Sequence, residues 1–600
     1  MCGIIGYCGS GNGLAVTIAG LERLEYRGYD SAGVSYLDRG NIVTTKSVGK
    51  IANLKEALGK FSEAEGLCIG HTRWATHGEV NKENAHPHTG EEFALVHNGI
   101  VENFEEIKKV SGKGFDFKSQ TDTEVFLSLL EFEYKKSSDV RKAIIEAFSQ
   151  IRGNCSFVIF HKGSQRLFGI RRSAPLVVGV SQENGDKFFT SDPYALSGFA
   201  SKIFFPQDNV LCECRLSSSA KDVFFYDRDL KPSHQYTVKD HETKMDVVDK
   251  AGFEHFMLKE IHEQPNLIKR IAGILKSDFY GDLEKINLSK VEYLHIIGCG
   301  TAMYAGNLIK KYLERYTQIK VNCELASEFR YREAALSPSE MALFISQSGE
   351  TADTLACAEL CTAKGLKKLS IVNVEGSSLF RESDVNLLIH AGVEIGVAST
   401  KAFTQMAVVG LGLAYSLSGK SMEELNQELG TLASRIDELF EMKDTLKKVA
   451  YEIHNMKGFL FTGRGEQFPI ALEGALKLKE IAYVHAEGYA AGELKHGPIS
   501  LIDDEMVNLA IIDPKLFDKT YSNAMEVKSR KGKLIVLGEK GNLKLEEIAD
   551  YFIGLNLGGL VDTQPLLFNI ALQLLSYYVA LYKGTDIDKP RNLAKSVTVE

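Results

Sequence analysis

Apolar positions in the first 240 residues recur at every second residue, in short runs broken by polar turns. This alternation predicts strands over Gly3–Tyr7, Ala32–Tyr36, Gly66–Gly70, Phe93–His97, Ser156–His161, Leu176–Gly179 and Lys187–Thr190. Helical spacing is confined to stretches such as Ala15–Glu25 and Asp122–Lys135. Many strands with few helices predict a layered α+β domain, placed at residues 2–217. Periodicity then fades through the polar stretch Ser217–Ala251, so residues 218–251 are expected to be a linker.

Beyond it, apolar strands alternate with long helical patterns, which predicts parallel sheets flanked by helices. Tyr293–Ile297 runs into Gly298-Cys299-Gly300-Thr301 and a helix; Gly458–Thr462 runs into Gly463-Arg464-Gly465 and a helix. This weak repeat predicts two lobes of one architecture, at 284–422 and 453–588. A helical lead-in at 252–283 precedes them, and a tail at 589–600 follows. Met303 and Phe468 stand where G-x-G-x-x-G needs its third glycine, which argues against a dinucleotide site. The apolar stretches Gln405–Leu417 and Asn569–Tyr582 are shorter than the roughly 20 residues that span a bilayer.

Six hundred residues exceed one hydrophobic core, and 44% apolar with 25% charged residues is ordinary for a globular chain. A net charge of −9 argues against a nucleic-acid or membrane-surface partner. Leu14–Leu21 has no preceding Lys or Arg and is not expected to be a signal segment, so a cytoplasmic location is expected. Ten cysteines without a C-x-x-C, and no H-E-x-x-H, predict neither a disulfide framework nor a metal site.

Candidate chemistry begins at Cys2. Trimming of Met1 would leave one residue carrying both a thiol and an α-amine, and the amine could serve as base. The alternative is a thiol buried beside Ile4-Ile5. Arg73 and Asp122 have the charges that an amino-acid substrate requires. The Asn98 side chain and the Gly99 N–H could stabilise an oxyanion; Asn-Gly is equally the mark of a type I′ hairpin turn. In the second half, Ser346-Gln347-Ser348-Gly349-Glu350-Thr351 joins a strand to a helix expected from Ala352. It reads as a phosphate site or as simple N-capping by Ser348 or Thr351. Glu473, Lys477 and Glu480 share one helix face, either as a surface stripe or as a semi-buried row beside a cleft. His496 follows in a Gly-rich loop.

Cys2-Gly3-Ile4, Tyr26–Gly33, His71–Gly78, His97–Gly99 and Thr121–Glu124, in that order, resemble the glutaminase domain of class II amidotransferases. Ser346–Thr351, Val397–Lys401, Glu473–Glu480, Glu493–Pro498 and Pro590–Glu600 resemble the paired sugar-isomerase (SIS) lobes of the glutamine–fructose-6-phosphate aminotransferases. Together the resemblance spans essentially the whole chain, and the lack of one internal segment makes it similar to bacterial members.

The resemblance implies an α-β-β-α Ntn-hydrolase-like sandwich and two α/β parallel-sheet lobes. It implies a homodimer that needs no cofactor and makes an amino-sugar precursor, glucosamine 6-phosphate, from L-glutamine and D-fructose 6-phosphate. Cys2 would be the nucleophile and Asn98 and Gly99 the oxyanion donors, with Arg73, Trp74, His77 and Asp122 around glutamine. Trp74 would also gate an ammonia channel. Cys299, Gly300, Thr301, Ser346, Gln347, Ser348, Thr351, Val397 and Ser399 would hold the sugar phosphate. Lys595 would form a Schiff base, Glu480 would move a proton between C1 and C2, Lys477 would support it, and His496, from the partner subunit, would open the ring. Ala302 departs from the family's usual Ser, a loss of at most one hydrogen bond, about 0.5–1.5 kcal/mol. Two other classes are weighed against this reading: an amidotransferase acting on another phosphosugar, and a non-enzymatic sugar-phosphate sensor. Intact Cys2, Glu480, His496 and Lys595 speak against the sensor.

Overall fold

The computed structural model describes residues 2–597, apart from 60–63, 76–77, 113, 242–248, 276, 289–290 and 334. The chain divides into two compact units, Met1–Val248 with Ser596–Glu600, and Asp249–Lys595.

Strand periodicity builds the first unit. In strand Gly3–Asn12, Ile5 and Tyr7 point to one face and Ile4 and Cys8 to the other. Ile5 and Tyr7 pack against Leu14, Ile18 and Leu21 of helix Gly13–Leu24. Ile4 and Cys8 pack with Leu67 and Ile69 against Val96, Val158 and Phe160 of a second sheet. The far face of that sheet, with Leu95, Phe157 and Ile159, is covered by helices Asp122–Ser137 and Val140–Gln150. The layers are therefore α-β-β-α. Among the described residues the two sheets have eight and six strands, all antiparallel. Gly3–Asn12 lies inside the first, between Glu65–Arg73 and Lys187–Thr190.

The expected linker needs correction. Val223–Tyr226 pairs with Leu211–Arg215, and Tyr236–Asp240 pairs with Lys202–Pro206, so 218–251 contributes a strand to each sheet. Each is the last strand of its sheet, and Tyr236–Asp240 is mostly exposed. Val223–Tyr226 is a run of four apolar residues and Tyr236–Asp240 an exposed edge of five, both too short to carry a clear period-two signal.

The second unit holds two parallel five-stranded sheets of the same order. In the first, Lys320–Leu325 is followed across the sheet by Tyr293–Gly298, Met341–Ser346, Lys367–Val372 and Val385–Leu388. In the second, the order is His485–Ala490, Gly458–Gly463, Met506–Ile511, Lys533–Glu539 and Tyr551–Leu555. Numbered within each lobe, both read 2-1-3-4-5. That order reverses between strands 1 and 3, where a crevice opens at the carboxyl ends. In the first lobe those two ends carry Gly298–Thr301 and Ser346–Thr351.

Helices Phe256–Ile274, Lys401–Ser418, Met422–Phe440, Lys443–Ile453, Gln467–Ala482 and Gln564–Lys583 share one core with both sheets. The last of them is longer than its apolar run: Pro565 begins it within the first turn, and at 20 residues it is long and apolar enough to cross a membrane. Its most apolar window is 89% buried inside the fold, so its apolar character is that of a core helix.

Candidate active sites

Cys2 is half-buried at the head of the inner strand, and its backbone surroundings are pinned. Gly3 N–H donates to Thr72 Oγ1 at 3.1 Å and Ile4 N–H to Ser191 Oγ at 3.0 Å. Trp74 N–H donates to Cys2 Sγ at 3.2 Å. Burial pushes the thiol up, opposed by the Trp74 N–H and the Arg73 charge among others. Asn98 Nδ2 donates to the Cys2 carbonyl at 3.0 Å, so the proposed nucleophile and the proposed oxyanion donor do meet.

Asn98-Gly99 is not a hairpin turn. Both residues end strand Phe93–Gly99 and pair with Ser156 and Cys155. Gly99 has φ +122°, and a Cβ there would lie 1.9 Å from the Asn154 carbonyl, so only glycine fits.

Arg73 ends strand Glu65–Arg73, buried, and its charge acts on Cys2, Asp30 and Asp122. Its guanidinium donates to the carbonyls of Gly78 and Glu79, both at 3.3 Å. Asp122 opens helix Asp122–Ser137 and accepts from Val101 N–H at 2.7 Å. Trp74 is half-buried, with its indole edge-on to Tyr29, ring centroids 6.2 Å apart. His77 lies outside the described residues.

A second constellation forms within the other unit. Thr301 opens helix Thr301–Tyr316, and its hydroxyl donates to Glu473 Oε1 at 3.2 Å and accepts from Lys477 Nζ at 3.1 Å. Lys477 Nζ lies 2.7 Å from Glu480 and 3.4 Å from Glu473. Glu473 and Lys477 are buried and Glu480 is half-buried, so the row is semi-buried and not a surface stripe. Burial opposes the Lys477 charge, but Glu473 and Glu480 hold its pKa above the ordinary lysine value. Burial pushes Glu473 up to about 7 despite Lys477.

Lys595 Nζ donates to Glu394 and to the Gly396 carbonyl, the latter at 2.9 Å. Glu394 also accepts from Ser399 Oγ at 2.8 Å and from the N–H groups of Thr400 and Ala402. Burial would raise this carboxyl, but Lys595 and those donors hold it at about 2. Glu394 also acts on Lys477, so the two lysines share one neighbourhood. Val397 donates its N–H to the Asp588 carbonyl at 3.0 Å.

In the Ser346–Thr351 turn, Ser346 Oγ accepts from Gly349 N–H at 2.9 Å and Ser348 Oγ from Glu350 N–H at 3.1 Å. Thr351, at the N-cap of helix Ala352–Ala363, makes no side-chain cap bond. Of the two residues in the capping alternative, Thr351 therefore makes no cap, while Ser348 accepts one backbone N–H within the turn. Gln347 is half-buried in it. Cys299 and Gly300 form the neighbouring turn, with Gly300 at φ +52° and Cys299 Sγ 3.9 Å from Thr354 Oγ1. Ala302 is half-buried, packed against the core.

Residues 71–198 match a glutamine amidotransferase domain, and residues 287–415 and 452–583 match the SIS domain. A glutamine–fructose-6-phosphate aminotransferase (isomerizing) of Pseudomonas aeruginosa is 42% identical over 620 residues, covering 100% of both chains. That of Caldanaerobacter subterraneus subsp. tengcongensis is 40% identical over 620 residues with the same coverage. The chain belongs to this family. The C-terminal domain of glucosamine-fructose-6-phosphate aminotransferase from Francisella tularensis, a solved structure, covers 57% of this chain and 100% of its own. It is 38% identical, with a TM-score of 0.54.

One expected member of the second constellation stands apart. His496 is exposed at the end of the short helix Ala491–His496, and among the described residues none makes a hydrogen bond or ion pair with it. Conversely, sequence reasoning missed Glu394 and Tyr304, which also feels the charges of Glu473, Lys477 and Glu480. No motif marked either residue; only the fold brings Glu394 to Lys595, 201 residues away.

The first unit also buries His71, His86 and His88 in one ring cluster, centroids 4.3 and 4.8 Å apart. Burial, reinforced by neighbouring histidines and Arg73, lowers all three, His71 to about 3. In the unfolded chain each titrates near 6.5. Between that value and the folded value, unfolding takes up protons, so stability is present at pH 7 and is lost as pH falls. Each such histidine contributes about 1.4 kcal/mol per pH unit within this window. Trp74, the single tryptophan, lies in this unit and reports its unfolding. Its fluorescence should show a urea midpoint falling steadily from pH 7 to pH 5; a midpoint independent of pH would contradict the buried neutral cluster.

Proposed function

We infer that this chain releases ammonia from L-glutamine, transfers it to D-fructose 6-phosphate, and isomerises the product to D-glucosamine 6-phosphate. The observation that carries the reading is the pairing of two built sites in one chain of this family. One is a thiol at residue 2 beside Asn98; the other is a buried lysine–carboxylate array at the end of an SIS-type sheet.

In the first site Cys2 attacks the glutamine amide carbonyl after Met1 is removed, and its own amine takes the thiol proton. Asn98 Nδ2 and Gly99 N–H stabilise the oxyanion, where a preorganised donor contributes most. Arg73 pairs with the substrate carboxylate and Asp122 with its ammonium. Trp74 and His77 complete the glutamine site. Ammonia departs as the thioester forms, and water then releases glutamate.

In the second site the hydroxyls and N–H groups of Ser346, Gln347, Ser348 and Thr351 bind the phosphate at a helix N-terminus. Cys299, Gly300, Thr301, Val397 and Ser399 hold the sugar. Lys595 Nζ condenses with the C2 carbonyl, losing water, and ammonia displaces the lysine from the imine. Glu480 carries the proton between C1 and C2, and Lys477 stabilises the developing enolate-like charge. The exposure of His496 supports its service in ring opening at the site of a second subunit, hence a homodimer. All ten cysteines are free thiols, which supports a reducing, cytoplasmic setting. An amino sugar phosphate is a precursor of the UDP-N-acetylglucosamine type of building block.

Three measurements test the assignment. With both substrates, mass spectrometry should identify glucosamine 6-phosphate. Cys2→Ala should abolish glutamate release while fructose 6-phosphate still interconverts with glucose 6-phosphate. Glutamate release near the wild-type rate would remove Cys2 from the mechanism.

Lys595→Arg keeps the charge but cannot form an imine, because guanidinium is not deprotonated in proteins. Borohydride should trap sugar on the wild type and not on this variant. An adduct mapped to Lys477 or Lys401 would identify a different imine lysine.

Free ammonia must reach the second site before water protonates it, and we assign the door of that path to Trp74. An indole seals a gap that smaller side chains leave open. Trp74→Ala should still hydrolyse glutamine but yield more glutamate than glucosamine 6-phosphate, where wild type gives a ratio near one. A ratio that stays near one would exclude the gate; equal loss of both products would make Trp74 structural.

A further inference from the structure

We propose that His71 is a positioning residue of the glutamine site, whose Nε2–H holds the Asn98 amide with its NH2 group turned toward Cys2. The inference rests on the reading of Asn98 as an oxyanion donor.

His71 is fully buried on strand Glu65–Arg73, paired across the sheet with Ile4 on one side and Gly33 on the other. Its Nε2 lies 3.0 Å from the His97 carbonyl. A carbonyl can only accept, so Nε2 carries the hydrogen and Nδ1 is bare. The same Nε2 lies 3.2 Å from Asn98 Oδ1, while Asn98 Nδ2 donates to the Cys2 carbonyl at 3.0 Å. These contacts admit one amide orientation. Turned over, the amide would set its NH2 against the His71 N–H and its oxygen against the Cys2 carbonyl, exchanging two bonds for two repulsions. An oxyanion donor acts only if it is aimed before charge develops, so fixing this amide is a kinetic matter as much as a structural one.

His71 is itself held. Its ring lies against that of His86, centroids 4.3 Å apart and planes tilted by 33°, and His86 Nε2 is 2.8 Å from Thr123 Oγ1. The same hydroxyl is 2.9 Å from His97 Nδ1. Thr123 follows Asp122 at the head of its helix, so one buried network ties the amide to the residue proposed for the substrate ammonium. His71 Nδ1 has no hydrogen-bond partner among the described atoms. A second proton there would have no acceptor, in keeping with the lowered pKa of about 3, set chiefly by burial.

The experiment compares His71→Leu, His71→Gln and Asn98→Ala in the full chain, alone and with His71→Leu and Asn98→Ala combined. Glutamine KM and kcat for glutamate release are measured separately. Asn98→Ala alone tests the underlying reading: no fall in kcat would defeat it whatever His71 does. Given that fall, His71→Leu should lower kcat about 10- to 100-fold with KM changed little. His71→Gln, which can place an N–H near the Nε2 position, should recover most of that loss. In the Asn98→Ala background, His71→Leu should cost less than about twofold more, because a group acting through Asn98 has nothing left to orient. The proposal is overturned if His71→Leu matches wild type, if its loss is the same in both backgrounds, or if only KM moves. If His71→Leu does not fold, His71→Gln decides: a folded His71→Gln enzyme as slow as Asn98→Ala overturns it.

Discussion

An ammonium group buried with no exposed surface must be neutralised where it stands, and Lys477 imposes that requirement on the second unit. Desolvating one such charge costs several kcal/mol even after relaxation. Glu473 and Glu480 supply compensation from the same helix, one turn to either side, and Thr301 supplies a hydroxyl from the first lobe. The two lobes thus meet at this charged point inside a shared apolar core, as they do again where Arg315 pairs with Glu466 and Asp562. The point at Lys477 coincides with the reversal of strand order in the first lobe, where a parallel sheet opens a crevice. Packing and chemistry are satisfied by the same side chains.

Lys595 meets the same constraint by another route. Its partner Glu394 is stabilised by Ser399 and by the N–H groups of Thr400 and Ala402, at the head of helix Lys401–Ser418. A carboxylate there gains from the helix dipole as well as from direct bonds. Nearby Glu260 accepts from Ile395 and Gly396 and is pushed up to about 8 by burial and by Glu394. Burial favours the neutral form of one carboxyl and the lysine favours the anion of the other, so a single negative charge faces Lys595.

In the first unit the governing constraint is the position of one strand. Gly3–Asn12 lies inside its sheet, so both neighbours and both faces hold it, and Cys2 at its head inherits that rigidity. Asn98 then meets Cys2 from the second sheet, through a side-chain bond and not through the backbone ladder. The buried histidines behind Asn98 remain neutral, which lets them hydrogen-bond without bringing a second buried charge near Arg73.

Much of this was legible in the residues themselves. Period-two runs placed the strands, alternating strand and helix patterns placed the lobes, and i, i+4 spacing placed Glu473 beside Lys477, because these depend on neighbours close in sequence. Spacing alone left open whether that row was a surface stripe or buried, and whether Asn98-Gly99 was a turn or a strand end. It also misread residues 218–251, where the two edge strands are too short to carry a period-two signal. Those matters were settled by contacts between parts of the chain distant in sequence or across strands: Thr301 on Lys477, Asn98 and Gly99 on Ser156 and Cys155, and the pairing of Tyr236–Asp240 with Lys202–Pro206. Local periodicity selects elements because backbone geometry repeats over a few residues. Burial of a charge and the aim of an amide are set only when remote elements close around them.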